Sequence, residues 1–230
     1  MFKSFSNDNE DILIEKILND INFKKNKIYF VELGTNGDLK TSNVLYFKEN
    51  YNSHGVVIDH DEDYYSHFHG KPLMNMKHEF IIPENINKIF EKYNINYDID
   101  LLSIQINGMD FWILYYLDFN LYNVKIICIN INNKLPNNNE IIYKYDKHFI
   151  RNDNYNYGCN CFSLCKFLEK KNYYNIYNSK NCSLFLQINE NTKEYITNLN
   201  KNNNENNNEN NNENIEEFIK NNKWIINLID

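Results

Sequence analysis

The 230-residue chain carries 24 Lys and Arg against 31 Asp and Glu, a formal net charge of −7, with 42% hydrophobic and 15% aromatic residues. That balance argues against a broad nucleic-acid-binding surface, which needs clustered cations facing phosphates, and it supplies apolar volume for one full-sized domain. No window approaches the roughly twenty apolar residues of a membrane-spanning helix, and the acidic start lacks the basic and apolar run of a secretory signal, so the expected location is cytoplasmic.

Residues Asp8–Ile21 place Ile12, Leu13, Ile17, Leu18 and Ile21 at helical spacing and read as a short amphipathic helix within an N-terminal extension, residues 1–26. Alternation follows. Strand Lys27–Leu33 leads to helix Thr41–Asn50, and strand Val56–Asp59 to helix Asp61–Phe68. A short strand near Lys77–Ile81 precedes helix Pro83–Tyr93, with Pro83 suited to a first turn. Strand Asp100–Ile106 leads to helix Asp110–Leu117, and strand Lys125–Ile131 to a long polar loop, Asn132–Tyr157. Helix Cys161–Lys171 then precedes strands Tyr174–Tyr177 and Cys182–Ile188. The central strands are continuous apolar runs, as in a parallel sheet covered on both faces by helices. The two strands at the end, joined by a short turn, predict an antiparallel hairpin on one edge. One α/β domain is therefore expected over residues 27–199. Lys201–Asn214, KNNNENNNENNNEN, has nothing apolar to bury and reads as a solvated linker at 200–214. Residues 215–230 form a tail with some helical periodicity.

The chain has no alanine and a single arginine, Arg151, as in coding from a very AT-rich genome. Under that pressure the six glycines left stand where backbone geometry demands them. Two of them lie in Val31–Asp38, VELGTNGD, a buried strand ending in an acid and then a glycine turn before a helix. The next strand, Gly55-Val-Val-Ile, ends in Asp59. In α/β folds such a turn lets backbone approach an adenosine-containing cofactor, and a carboxylate ending the second strand accepts hydrogen bonds from its ribose. The candidate cofactor residues are Glu32, Gly34, Thr35, Gly37 and Asp59. A plain strand-to-helix turn has the same appearance, because the full dinucleotide fingerprint is missing.

A second informative segment runs from Asp98 to Asp110. A buried strand delivers Gln105 and Asn107 to its carboxyl end, Gly108 turns the chain, and Asp110 stands at a helix start. There it either caps the helix or faces a ligand. Asp59-His-Asp61, His67-x-His69 and His78 crowd potential metal ligands, yet solvated helix-surface histidines explain them more simply, and no metal is expected. Cys159-x-Cys161-x-x-x-Cys165 lacks the paired spacing of zinc motifs and reads as packing thiols, with all five cysteines reduced.

With these pieces in order, Val31–Ile188 resembles the S-adenosylmethionine-dependent methyltransferases, close to the FkbM-like group that methylates hydroxyls of small molecules and glycans. Val31–Asp38 matches the cofactor loop, Thr41-Ser-Asn43 the start of the following helix, and Gly55-Val-Val-Ile-Asp59 the strand with the ribose acid. Asp100-Leu-Leu-Ser-Ile-Gln-Ile-Asn-Gly-Met-Asp110 matches the family's Asp-Leu-Leu-Ser-Ile-Asp-x-Asp-Gly-x-Asp, and Gly158–Lys171 with Tyr173 matches a late helix and strand. The resemblance implies a Rossmann-like methyltransferase fold, S-adenosyl-L-methionine as cofactor, and a small-molecule or glycan acceptor, with neither membrane nor nucleic acid as partner. It assigns orientation of the methyl group or acceptor to Asn107 and Asp110. The chain departs from the family at Gln105 and Asn107, where acids are usual, and on the fifth strand, where the family carries Glu before an Asn and this chain has Asn130 and then Asn132. Amides cannot act as general bases and are poor ligands for hard cations. Two outcomes follow: methyl transfer by proximity and orientation without a strong base, or an inactive fold that serves as a binding or scaffold protein.

Overall fold

The structure is a computed structural model and describes residues 3–23, 27–35, 41–60, 75–106, 108–147, 157–206 and 228–229. Among these residues seven strands form one sheet: β1 (Tyr29–Leu33), β2 (His54–Asp59), β3 (Asn75–His78), β4 (Asp98–Ile104), β5 (Asn123–Asn130), β7 (Tyr173–Asn178) and β8 (Cys182–Gln187). The order across the sheet is β3-β2-β1-β4-β5-β8-β7. β3, β2, β1, β4 and β5 are mutually parallel, and β8 is antiparallel to both neighbours. This is a Rossmann-like α/β fold, and the four longer apolar runs are parallel neighbours as their composition predicts. A two-residue strand, β6 (Ile142–Tyr143), interrupts the expected loop 132–157 and pairs in parallel with β9 (Leu228–Ile229).

The terminal hairpin lies on one edge as expected, with its Cys182–Gln187 strand antiparallel beside the parallel set. β8 is inserted between β5 and β7, so the edge strand is β7, which runs parallel to the main set. Side-chain chemistry explains the order. Five consecutive β8 residues, Cys182–Leu186, are buried and suit an interior position. β7 reads YYNIYN and is mostly half-exposed or exposed, as an edge tolerates.

Helices cover both faces. α3 (Ile86–Lys92), α4 (Asp110–Tyr116) and α5 (Cys161–Glu169) bury Ile86, Phe90, Phe111, Leu114, Leu164 and Leu168 against Leu33, Ile58, Leu102, Ile104, Ile129 and Phe185. α1 (Glu10–Asp20), α2 (Leu45–Tyr51) and α6 (Glu190–Asn206) cover the opposite face, where Ile14, Ile17, Phe47 and Ile196 meet Phe30, Leu101, Ile126 and Leu184. The N-terminal helix is thus part of the core. α6 has no counterpart in the predicted elements. It crosses the expected boundary at residue 199 and continues six residues into the low-complexity run, so that part of the run is helical. The expected helix Asp61–Phe68 lies outside the described residues.

Among the described residues, every non-glycine residue with positive φ is an asparagine: Asn9, Asn22, Asn52, Asn94 and Asn172. Four of them follow the ends of α1, α2, α3 and α5, where a left-handed residue closes the last turn. Glycine usually takes that position. Asparagine, which tolerates the conformation best among residues with a side chain, fills it in this glycine-poor chain.

Candidate active site

The sheet reverses direction of winding between β1 and β4, and its carboxyl edge there is the topological switch point where open α/β sheets bind ligands. Gly34 sits at this point. Its N–H donates to the Ile58 carbonyl at 2.8 Å, and the Gln105 N–H donates to the Leu33 carbonyl at 2.8 Å, so the turn is held between β2 and the end of β4. With φ of 74°, Gly34 adopts a conformation that strains other residues, and a Cβ there would lie 2.4 Å from the Gln105 carbonyl oxygen.

Thr35 then binds the end of β2. Its backbone N–H and its hydroxyl both donate to Asp59 Oδ2 at 2.7 Å. Asp59 is 6% exposed, and His60 Nδ1 lies 3.2 Å from its other oxygen. Phe80, two residues past β3, is 63% exposed with its ring centroid 5.9 Å from that of His60. In sequence Phe80 is only an aromatic just beyond a strand end, and nothing marks it there. Gly37 lies outside the described residues.

Glu32 is fully buried beneath the loop. Ser42 Oγ donates to its Oε2 at 2.6 Å, and the Asn43 N–H donates to Oε1 at 2.9 Å. Ser103 Oγ at 3.2 Å and Gln105 Nε2 at 3.4 Å also point at Oε1. The polarity of this cage is fixed. Ser42 Oγ accepts from the N–H groups of Val44 and Leu45, which leaves its hydrogen for Glu32. Ser103 Oγ accepts from Asn43 Nδ2 at 3.1 Å, which turns its hydrogen the same way. Every neighbour is a donor and none is a cation. Burial raises the Glu32 pKa, the donors of Ser42, Asn43, Ser103 and Gln105 pull it back, and the balance falls at about 7. Glu32 therefore acts on the loop from behind, by fixing the entry to α2. In sequence Ser42, Asn43 and Ser103 stand only as members of two separate motifs, with nothing to join them into a cage.

Asp110 opens α4 and turns back on the preceding loop. Its Oδ1 accepts from the Ile106 N–H at 2.8 Å and its Oδ2 from the Gly108 N–H at 2.9 Å, with the side chain 3% exposed. The helix-start geometry belongs to Met109, which makes no side-chain cap. Asp110 is thus the acceptor that shapes the turn 106–108, and Asn107 within that turn lies outside the described residues. On the fifth strand, Asn130 is half-buried at the end of β5. Asn132 staples the following loop: its Nδ2 donates to the Tyr157 carbonyl at 2.9 Å and its Oδ1 accepts from the Lys134 N–H at 3.1 Å.

The edge thus brings together Glu32, Gly34, Thr35, Asp59 and Asp110. The carboxylates of Asp59 and Asp110 accept backbone N–H groups, and no cluster of three metal-ligating side chains exists among the described residues. His78, from the histidine-rich stretch, is engaged with the His60 carbonyl at 2.6 Å, while Asp61, His67 and His69 lie outside the described residues. No helix among the described residues is long and apolar enough to cross a membrane.

No model of a known protein family matches the chain, and no curated protein sequence matches it. Among solved structures, human Methyltransferase-like protein 13 in complex with SAH aligns with a TM-score of 0.47 and 10% identity, over 82% of this chain and 86% of its own. The MycE methyltransferase from the mycinamycin biosynthetic pathway, in complex with Mg and SAH, aligns with a TM-score of 0.40 and 10% identity, over 77% of this chain and 49% of its own.

Proposed function

We propose that the chain binds S-adenosylmethionine at the carboxyl edge of its sheet and transfers the methyl group to a hydroxyl of a small molecule or glycan. The observation that carries this reading is the placement of the Gly34–Thr35 turn and the Asp59 carboxylate on adjacent strands at the switch point, joined by two 2.7 Å hydrogen bonds. The residues fit the cofactor's chemistry. Asp59 accepts ribose hydroxyls, Thr35 fixes its orientation, and Phe80, exposed against His60, offers a ring for a planar base. When bound, the cofactor supplies a methyl group activated by a sulfonium. The chain supplies position: Glu32 sets the path from the turn into α2, and Asp110 shapes the turn 106–108 that faces the acceptor side. Orientation alone supplies a large share of such a barrier, which suits an edge whose fourth strand ends in Gln105.

A second reading, a catalytically inactive fold used for binding, is favoured by one observation: both Asp110 oxygens are taken by backbone N–H groups. Calorimetric titration with S-adenosylmethionine and S-adenosylhomocysteine, followed by transfer of labelled methyl to hydroxyl acceptors, separates the two. Wild type is expected to bind both, and Asp59→Ala to weaken binding about tenfold or more, the equivalent of one charged hydrogen bond. Binding without transfer supports the inactive reading. Folded wild type that binds neither ligand at millimolar concentration defeats the cofactor reading, active or decayed, and leaves a fold used as a binding or scaffold protein.

A further inference from the structure

All five cysteines lie in the second half of the chain, and four of them form two close pairs on opposite faces of the sheet. The pairs differ in reactivity. Cys128 and Cys182, with sulfurs 3.2 Å apart, are buried between β5 and β8, and hydrogen bonding with Cys182 together with burial pushes the Cys128 thiol well up. Such thiols are inert. Cys161 and Cys165 lie one turn apart at the start of α5, with sulfurs 3.8 Å apart, and Cys165 is only half-buried.

We propose that Cys161 and Cys165 form an oxidisable dithiol, in which Cys161 is the peroxide-reactive sulfur and Cys165 resolves it to a disulfide. Two features around Cys161 support its role. It is the first residue of a nine-residue helix, where backbone N–H groups favour a negative charge. The fully buried Ser183 hydroxyl finds no hydrogen-bond partner for its oxygen among the described residues, and it faces the Cys161 sulfur, where it is placed to donate to a thiolate. In the reduced form the Cys161 thiol donates to Asn178 Oδ1 at 3.1 Å, a bond that is given up when the sulfur ionises. The two thiols share their proton unequally. Hydrogen bonding by Cys165 lowers the Cys161 pKa to about 7, and the same contact, with burial, raises that of Cys165.

The chemistry balances with hydrogen peroxide as oxidant. The Cys161 thiolate attacks one peroxide oxygen. An S–O bond forms, the O–O bond breaks, and hydroxide leaves. Cys165 then attacks the sulfenic sulfur. An S–S bond forms, the S–O bond breaks, and the departing hydroxide takes the Cys165 proton as water. Two thiols are oxidised and one peroxide is reduced to two waters.

The disulfide would deform the first turn of α5. Residues one turn apart hold their Cβ atoms about 5–6 Å apart, whereas a disulfide needs about 3.5–4.5 Å. The turn anchors the loop before β6: Asn160 caps Ser163 with its Oδ1 and donates Nδ2 to the carbonyls of Pro136 and Asn139, and Ser163 exchanges hydrogen bonds with Ile141. Oxidation should therefore loosen residues 136–142. Trp112 Nε1 and Gly158 hold the next residue, Tyr143, by its carbonyl and its N–H.

The test treats the folded full-length chain with stoichiometric hydrogen peroxide and maps the product by tandem mass spectrometry. The expected result is loss of two hydrogens localised to Cys161 and Cys165, reversal by dithiothreitol, and faster proteolysis within 136–142. Cys159→Ser should keep the mass loss. Cys165→Ser should abolish it and leave a Cys161 sulfenic acid that dimedone traps. Iodoacetamide at pH 7 should modify Cys161 about tenfold faster than an ordinary thiol, in proportion to thiolate fraction. The proposal is overturned if the disulfide maps to Cys128 and Cys182, if Cys165→Ser retains the mass loss, or if Cys161 reacts no faster than the other thiols.

Discussion

Gln105 points its side-chain amide at the buried carboxylate of Glu32 across two adjacent strands, Nε2 to Oε1 at 3.4 Å. The amide is therefore matched to its neighbour, whatever it replaced. A carboxylate at position 105 would set two buried acids side by side with no cation in the cage.

Gln105→Glu is expected to destabilise the fold at pH 7 by about 2 kcal/mol or more, the scale of an unpaired buried charge. Like charges raise the coupled pKa values, so the loss should shrink as pH falls and the pair takes up a proton. Urea unfolding at pH 7.5 and pH 5 measures both. A variant more stable than wild type at neutral pH would show that the amide is a defect.

Glu32 makes its own pH signature. Its carboxyl keeps a proton up to about 7 in the native state, whereas an unfolded glutamate ionises near about 4.3. Between those values the native state binds more protons, so stability falls as pH rises, by at most about 1.4 kcal/mol per pH unit. Glu32→Gln should remove that slope. It should also lower stability by about 1–3 kcal/mol in the acid range, because one side-chain N–H must then face a donor. Parallel slopes for wild type and variant in chemical unfolding would refute this.

Asp110→Ala removes the acceptor of two backbone N–H groups. A loss of about 3 kcal/mol is expected from charge-assisted bonds, with Asp110→Asn intermediate because it keeps one acceptor oxygen. Thermal unfolding reads this directly, and an unchanged melting temperature would return Asp110 to a purely chemical role.

Gly34 and Gly158 have nearly the same backbone, φ of 74° and 66°, but different surroundings. A Cβ on Gly34 would strike the Gln105 carbonyl at 2.4 Å, while on Gly158 its nearest neighbour would be 3.7 Å away. Gly158→Asn should cost about 1 kcal/mol or less, as at the helix ends this chain already closes with asparagine. Gly34→Asn should fail to fold or lose several times that, and equal tolerance in a thermal-shift comparison would contradict the packing argument.

Much of the sheet was legible because its strands are continuous apolar runs alternating with helices. Phe30–Leu33, Val56–Ile58, Leu101–Ile104 and Ile126–Ile129 all lie in neighbouring parallel strands. The terminal hairpin was legible too, from two strands joined by a short turn. α6 was hidden because it carries few apolar residues, although the reciprocal hydrogen bonds of Asn189 and Thr192 at its start had a sequence signal. In the site, Gly34 and Asp59 stood out by residue type and position. The Glu32 cage did not, because it depends on pairs such as Asn43 and Ser103, 60 residues apart. Only the fold makes them neighbours.

The location of α1 has a consequence for how the chain comes together. Glu10 Oε1 accepts from Ser179 Oγ across 169 positions, and Ile14 and Ile17 share a face with Leu184 and Ile196. α1 therefore waits for the β7–β8 turn and α6 before its surface is covered. β1 likewise waits for β4 to sit beside it. Contacts this distant favour slow folding through species with exposed apolar surface, so refolding yield should fall with concentration well before native stability becomes limiting.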